Sequence, residues 1–145
     1  MTDHTVTLTQ AERARTTANQ RPKDAATMMI LDRSGARPKV LMGKRHASHK
    51  FMPGKYVFPG GRVDDGDRRM VATGAVPQIC EDRLGKRCLR PSAGKARALA
   101  MAAIRETFEE TGLLFGSDEF GAPDAPPPGS WSEFAAQGIY PDLSA

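Results

Sequence analysis

The sequence predicts an α/β domain from three observations. Short apolar runs separated by turn residues occupy the first half, a Pro-Gly-Gly stretch closes the third of them, and a long segment rich in Ala, Leu, Met, Arg and Glu follows. A chain of 145 residues, 39% apolar and 26% charged, suits one globular core. No apolar run reaches the roughly 18 residues of a membrane span, and Met1 to Gln10 lacks the apolar stretch of a secretory signal. The expectation is a cytoplasmic protein with no membrane partner. Cys80 and Cys88 form no CxxC pair and have no histidines near them, so unpaired thiols are expected, with neither a zinc site nor a disulfide framework.

Residues 1–24 are polar without a clear apolar period and read as a leader, with the domain proper over 25–145. Ala25 to Leu31 and Lys39 to Met42 are apolar runs joined by the turn-rich Asp32-Arg33-Ser34-Gly35-Ala36-Arg37-Pro38, which predicts an antiparallel pair. Tyr56-Val57-Phe58 is a third short strand, ended by Pro59-Gly60-Gly61, where the glycines allow close approach of a ligand or neighbour. Residues 68–94 have mixed composition and read as an insertion of undetermined structure. From Lys95 to Thr111 the pattern is helical, with Gly112 in the place of a C-terminal cap. Residues 116–129 form a Gly/Pro-rich acidic loop. Ser130-Trp131-Ser132-Glu133 reads as the capping-box start of a short helix near Phe134 to Gln137.

Charge is unevenly spread over the net +4. Between Arg37 and Arg69 nine Lys or Arg (Arg37, Lys39, Lys44, Arg45, Lys50, Lys55, Arg62, Arg68, Arg69) face three Asp, a balance that suits a phosphate-bearing ligand or a solvated basic surface. Only Phe51, Tyr56 and Phe58 interleave these charges and no stacking motif is present, so no nucleic-acid partner is expected. His46 and His49 read as solvated or packed side chains.

The long helix carries the chemistry. At 100° per residue, Arg105, Glu106, Glu109 and Glu110 share an arc of about 140°, while Met101, Ile104 and Phe108 form a separate apolar arc. Carboxylates packed so closely repel one another unless a positive charge sits among them, and an all-oxygen set suits a hard cation such as Mg²⁺ or Mn²⁺. Arg105 can also pair with Glu109 at i, i+4, so an acidic face held by that ion pair is the plainer alternative.

The segment Gly61-Arg62-Val63-Asp64-Asp65-Gly66-Asp67, followed later by Arg105-Glu106-Thr107-Phe108-Glu109-Glu110-Thr111-Gly112-Leu113, resembles the Nudix box of the Nudix hydrolase family. That pattern is Gly, five residues, Glu, seven residues, then Arg-Glu-U-x-Glu-Glu-x-Gly-U with U aliphatic. Thr107 replaces an aliphatic residue and Asp67 stands where the family has Glu. The two halves are separated by 37 residues instead of seven, so an insertion splits the box. Such a split is similar to a branch that includes peroxisomal coenzyme A diphosphatases. Gly54-Lys55-Tyr56-Val57-Phe58-Pro59-Gly60-Gly61 matches the Gly-x-x-x-Phe-Pro-Gly-Gly ending of the coenzyme A segment, and Arg45 occupies its first arginine position. Lys50 replaces the second arginine, keeping the charge but losing the bidentate fork. His46 stands where a small residue is usual, and Leu143-Ser144-Ala145 is not a peroxisomal address.

The resemblance implies an α/β/α sandwich around a mixed sheet and an enzyme that hydrolyses a diphosphate linkage in a nucleoside diphosphate derivative, including coenzyme A or an acyl-coenzyme A. It implies Glu106, Glu109 and Glu110 as metal ligands, with the Gly61 carbonyl as an extra one. Glu106 is implied as catalytic base, unless that role falls to a glutamate beyond Ala145. Arg105 is implied to orient the glutamates, and Arg45 and Lys50 are the candidates for binding a substrate phosphate. A non-catalytic module that binds such a nucleotide stays open as the alternative. Strands and a second helix normally follow the box, whereas 33 residues follow Gly112 here. The expectation is a domain incomplete at its C-terminus, with an apolar helix face left uncovered or covered by a partner copy in a homodimer.

Overall fold

The computed structural model describes residues 23–48, 53–86 and 88–144. Leader residues 1–22 and Lys50 lie outside the described residues.

Four short antiparallel ladders and four helices make up the described chain. Strand β1 (Ala25–Thr27) pairs not with its neighbour in sequence but with β6 (Gly60–Arg62), in the register Ala25 to Arg62, Ala26 to Gly61 and Thr27 to Gly60. Backbone bonds from Met28 N to Pro59 O and from Val63 N to Asp24 O lengthen that ladder at both ends. Strands β2 (Leu31–Asp32) and β3 (Lys39–Val40) form the expected hairpin. The Asp32 carboxylate nucleates its turn by accepting from the Ser34 amide and hydroxyl at 2.9 and 2.6 Å. The run read as one strand over Ala25–Leu31 is therefore two, each with its own partner. Strand β4 (Gly43–Lys44) pairs with β5 (Tyr56–Val57), the third strand of the sequence reading.

Helix α1 (Asp65–Arg69) starts on a capping box: the Asp64 side chain accepts from Asp67 N while the Asp67 side chain accepts from Asp64 N. Within the insertion, α2 (Gln78–Gly85) gives structure to a region the sequence left undetermined. Helix α3 (Ala93–Thr111) begins two residues earlier than its composition indicated, because Ser92 caps it by accepting from Lys95 N at 3.1 Å. Its end is where Gly112 places it. With φ 74° Gly112 takes the left-handed conformation that a Cβ disfavours, and its N–H reaches Phe108 O at 2.8 Å.

Helix α4 (Ser130–Ala135) corrects the expected tail. No side-chain cap bond forms at its start, the N-cap is Gly129, and the Ser132 hydroxyl donates to Pro127 O at 2.9 Å. The helix therefore begins at the residue expected to cap it. Strand β7 (Gly116–Ser117), at the start of the stretch read as loop, pairs with β8 (Tyr140–Pro141). Thr73 forms a parallel bridge with Asp142, its N–H bonded to Pro141 O and its carbonyl accepting from Leu143 N. Insertion and tail thus hold each other.

The core sits on α3. Met101 and Ile104 pack with Met70, Trp131, Phe134, Ala135 and Leu143, with Phe108 set edge-on to Phe134 at 5.3 Å between ring centres. Small residues on the same helix, Ala96, Ala98, Ala102 and Ala103, are buried, and α3 packs against β1, β6 and the other three helices. The tail covers the apolar arc that the sequence reading left without a lid. Cover is uneven: a groove of about 550 Å³ stays open between Met28–Leu31 and the Ala100, Ala103 and Ile104 side of α3. Among the described residues no helix is long and apolar enough to cross a membrane, and Cys80 and Cys88 are unpaired.

Candidate active site

The last turns of α3 lie against the β6 end of the first ladder, and this contact assembles the acidic face. Gly60, at φ 153°, lies so near β1 that a Cβ would meet the Ala26 carbonyl and the Thr27 backbone, and a Cβ on Gly61 would occupy the space of the Glu106 carboxyl group and turn that side chain aside. The Gly60 N–H donates to Glu110 Oε2 at 3.3 Å. Glu106 is mostly covered, with 17% of its side chain accessible, whereas Glu109 and Glu110 are exposed.

Arg105 is buried at the centre of the cluster. Its Nε donates to Asp67 Oδ1 at 2.8 Å and its Nη2 to Asp67 Oδ2 at 3.2 Å, the two-pronged geometry that suits a carboxylate. The same Nη2 donates to Arg62 O at 2.8 Å and lies 3.1 Å from Glu106 Oε1, while Nη1 donates to Glu109 Oε1 at 2.7 Å. Burial pulls the guanidinium down, but the hydrogen bonds of Asp67 and Glu109 and the charges of Asp67 and Glu106 outweigh it and hold Arg105 above its ordinary pKa. Desolvation pushes the Glu106 carboxyl up; Arg105 opposes this, Glu109 and Glu110 add to it by like-charge repulsion, and the net shift is upward.

Asp67 is fully buried. Besides Arg105 it accepts the Asp64 amide at 2.9 Å and the indole N–H of Trp131 at 3.0 Å. The sequence placed Asp67 in the box but had no means of finding Trp131, which stands 64 positions away across the insertion, α3 and the Gly/Pro loop. Thr107, in place of an aliphatic residue, points inward and is buried, its hydroxyl 3.7 Å from Met28 Sδ.

The face fits a hard divalent cation in donor chemistry, being all oxygen and negative. It is not a closed cage, for among the described residues no three Asp, Glu, His or Cys side chains converge on one point. Fewer carboxylates on one open side are what Mg²⁺ accepts when water and phosphate oxygens complete its shell. Arg45 follows β4, bracketed by backbone bonds from its own N–H to Lys55 O and from Gly54 N–H to its carbonyl. It therefore stands at the head of the segment that runs through β5 and Phe58-Pro59 into Gly60 and Gly61.

A crystal structure of a NUDIX hydrolase from Alicyclobacillus acidocaldarius is similar over 87% of this chain and 59% of that one, with TM-score 0.59 and 30% sequence identity. The fold is the α/β fold of Nudix hydrolases. A curated protein of Caenorhabditis elegans, named "Putative nudix hydrolase 7", is 32% identical over 92 residues, which is 63% of this chain and 22% of that protein. No family model matches. Both similarities support the Nudix hydrolase family, and the chain spans less than two thirds of either relative.

Proposed function

We propose that this Nudix domain hydrolyses a diphosphate linkage in a nucleoside diphosphate derivative, with Mg²⁺ or Mn²⁺ held on Glu106, Glu109 and Glu110 and a further contact from the Gly61 carbonyl. The observation that carries the reading is the acidic end of α3 seated on Gly60 and Gly61 with Arg105 among the carboxylates. A bound divalent ion would supply the charge that lowers the pKa of an attacking water and offsets negative charge building on the phosphoryl oxygens. Arg105 holds Glu106 and Glu109 in register from beneath. Glu106 is the proposed base, since burial and its acidic neighbours raise its carboxyl toward the range where proton transfer is efficient. Arg45 and Lys50 are proposed to grip a substrate phosphate, and the Gly54 to Gly61 segment with the split box favours coenzyme A or an acyl-coenzyme A as substrate.

A panel of coenzyme A, an acyl-coenzyme A, ADP-ribose, NADH and nucleoside triphosphates, assayed with Mg²⁺ and with Mn²⁺, tests this. Metal-dependent release of two phosphate-bearing products, fastest from a coenzyme A derivative, is expected. Equal or better cleavage of ADP-ribose removes the substrate preference. Saturable binding of a panel member without turnover would replace the hydrolase by a binding module.

A further inference from the structure

We infer that Trp131 is a positioning residue for the acidic face, acting through Asp67 and Arg105; this rests on the proposed metal-dependent reaction. The Asp67 carboxylate is fully buried, and each of its oxygens takes two donors. Oδ1 accepts from Arg105 Nε at 2.8 Å and from the Trp131 indole N–H at 3.0 Å. Oδ2 accepts from the Asp64 amide at 2.9 Å and from Arg105 Nη2 at 3.2 Å. Half of these donors come from Arg105, so whatever fixes the carboxylate also fixes the guanidinium. The far side of that guanidinium holds Glu109 at 2.7 Å and Glu106 at 3.1 Å. The indole is thus three links from the carboxylates proposed to hold the metal, with Asp67 and Arg105 between.

Trp131 is itself tightly placed. It is 1% exposed, packs edge-on to Phe134 at 5.5 Å between ring centres, and lies so near Gly66 that a Cβ there would come within 3.1 Å of its Cδ1. A donor held by packing has no freedom to turn toward another acceptor, and Asp67 is the acceptor it meets. Aspartate is one methylene shorter than the glutamate of the family pattern. Here a side chain from the tail supplies the second donor to the oxygen that also takes Arg105 Nε. The tail helix α4 thereby acts on the geometry at the end of α3.

Trp131 is the one tryptophan of the chain, which permits a test that leaves shape intact. The protein is prepared with a benzothiophene analogue in place of tryptophan, replacing the N–H by sulfur, and in parallel as Trp131→Phe. Three quantities are read: hydrogen exchange of the Arg105 Nε–H by NMR, the midpoint of a Mn²⁺ titration, and kcat and KM separately. Both versions should exchange the Arg105 proton at least tenfold faster, raise the Mn²⁺ midpoint at least threefold, and lower kcat with KM little changed. Adding Trp131→Phe to Asp67→Asn should then have no further effect on the midpoint, because the link is already cut. A lowered melting temperature with wild-type Arg105 exchange and a wild-type Mn²⁺ midpoint overturns the inference, as does full additivity with Asp67→Asn. If the wild-type protein takes up no Mn²⁺ the proposed function fails, and the Arg105 exchange still decides the role of Trp131. Should Trp131→Phe not fold, the analogue carries the test.

Discussion

Asp67 and Glu110 are two carboxylates of the same acidic cluster with opposite fates. Asp67 is fully buried and receives four donors from Arg105, Trp131 and the Asp64 amide. Glu110 is exposed and receives one N–H, from Gly60, at 3.3 Å. An ionised carboxylate can leave water only if protein donors replace its hydration, so Asp67 is a fixed part of the framework. Glu110 keeps most of its lone pairs open to solvent, as the proposed metal site requires. The difference separates the acid that builds the site from the acids available to a ligand, which residue type alone does not.

The most severe way to break this division is to remove the partner of the buried acid. Arg105→Met leaves Asp67 buried and without its main donors, and a loss of about 3–5 kcal/mol is expected in equilibrium urea unfolding. A loss under about 1 kcal/mol would mean that Asp67 does not depend on Arg105. The exposed acids should respond in the opposite sense. Glu109→Gln and Glu110→Gln should each reduce metal-dependent turnover at least tenfold, about 1.4 kcal/mol of transition-state stabilisation, while the urea midpoint of Glu110→Gln stays near wild type. Unchanged turnover in either variant would remove that residue from the metal set.

Glu106 stands between the two cases and sharpens the comparison through pH. Its carboxyl is raised in the folded protein, so its ionised form is less favourable there than in the unfolded chain. Its contribution to stability is therefore greatest when it is protonated and falls as pH rises from the ordinary glutamate value of 4.5 through the raised one. In chelator, Glu106→Gln should melt higher than wild type at pH 7 to 8, and the gain should fade as the pH falls below 4.5. With Mg²⁺ present the order should narrow or reverse, since only the wild type gains a counter-charge. Differential scanning fluorimetry across pH, with and without the metal, reads both. The smallest effect is expected at Thr107, whose buried hydroxyl has only a weak sulfur acceptor at 3.7 Å. Thr107→Val should change stability by less than about 1 kcal/mol, and a larger loss would reveal a stronger bond than that distance allows.

Local signals in the chain were legible where one short stretch carries the physics. Gly112 marks the end of α3 because a left-handed cap wants glycine, and the 3.6-residue period gathers Glu106, Glu109 and Glu110 on one arc. The same local logic misread the tail. Ser130-Trp131-Ser132-Glu133 has the letters of a capping box, yet no side-chain cap bond forms there. The box occurs instead at Asp64 and Asp67, where the second carboxylate also has a distant charge to meet. Strand partners were equally hidden: Ala25–Thr27 has a neighbour in sequence that could have paired with it, but lies against Gly60–Arg62.

The sequence by itself determined the α/β class, the helix from its alanines to its glycine cap, the shared face of three glutamates and the glycine pair that ends the third strand. These follow from residue conformations and helical period, which need no distant partner. Only the tertiary structure decided that Asp67 would be buried, that Trp131 would donate to it across 64 positions, and that the tail would lie over Met101 and Ile104. Those outcomes depend on which donor reaches a carboxylate once water has left it, and that is a property of the packed chain, not of any stretch of sequence.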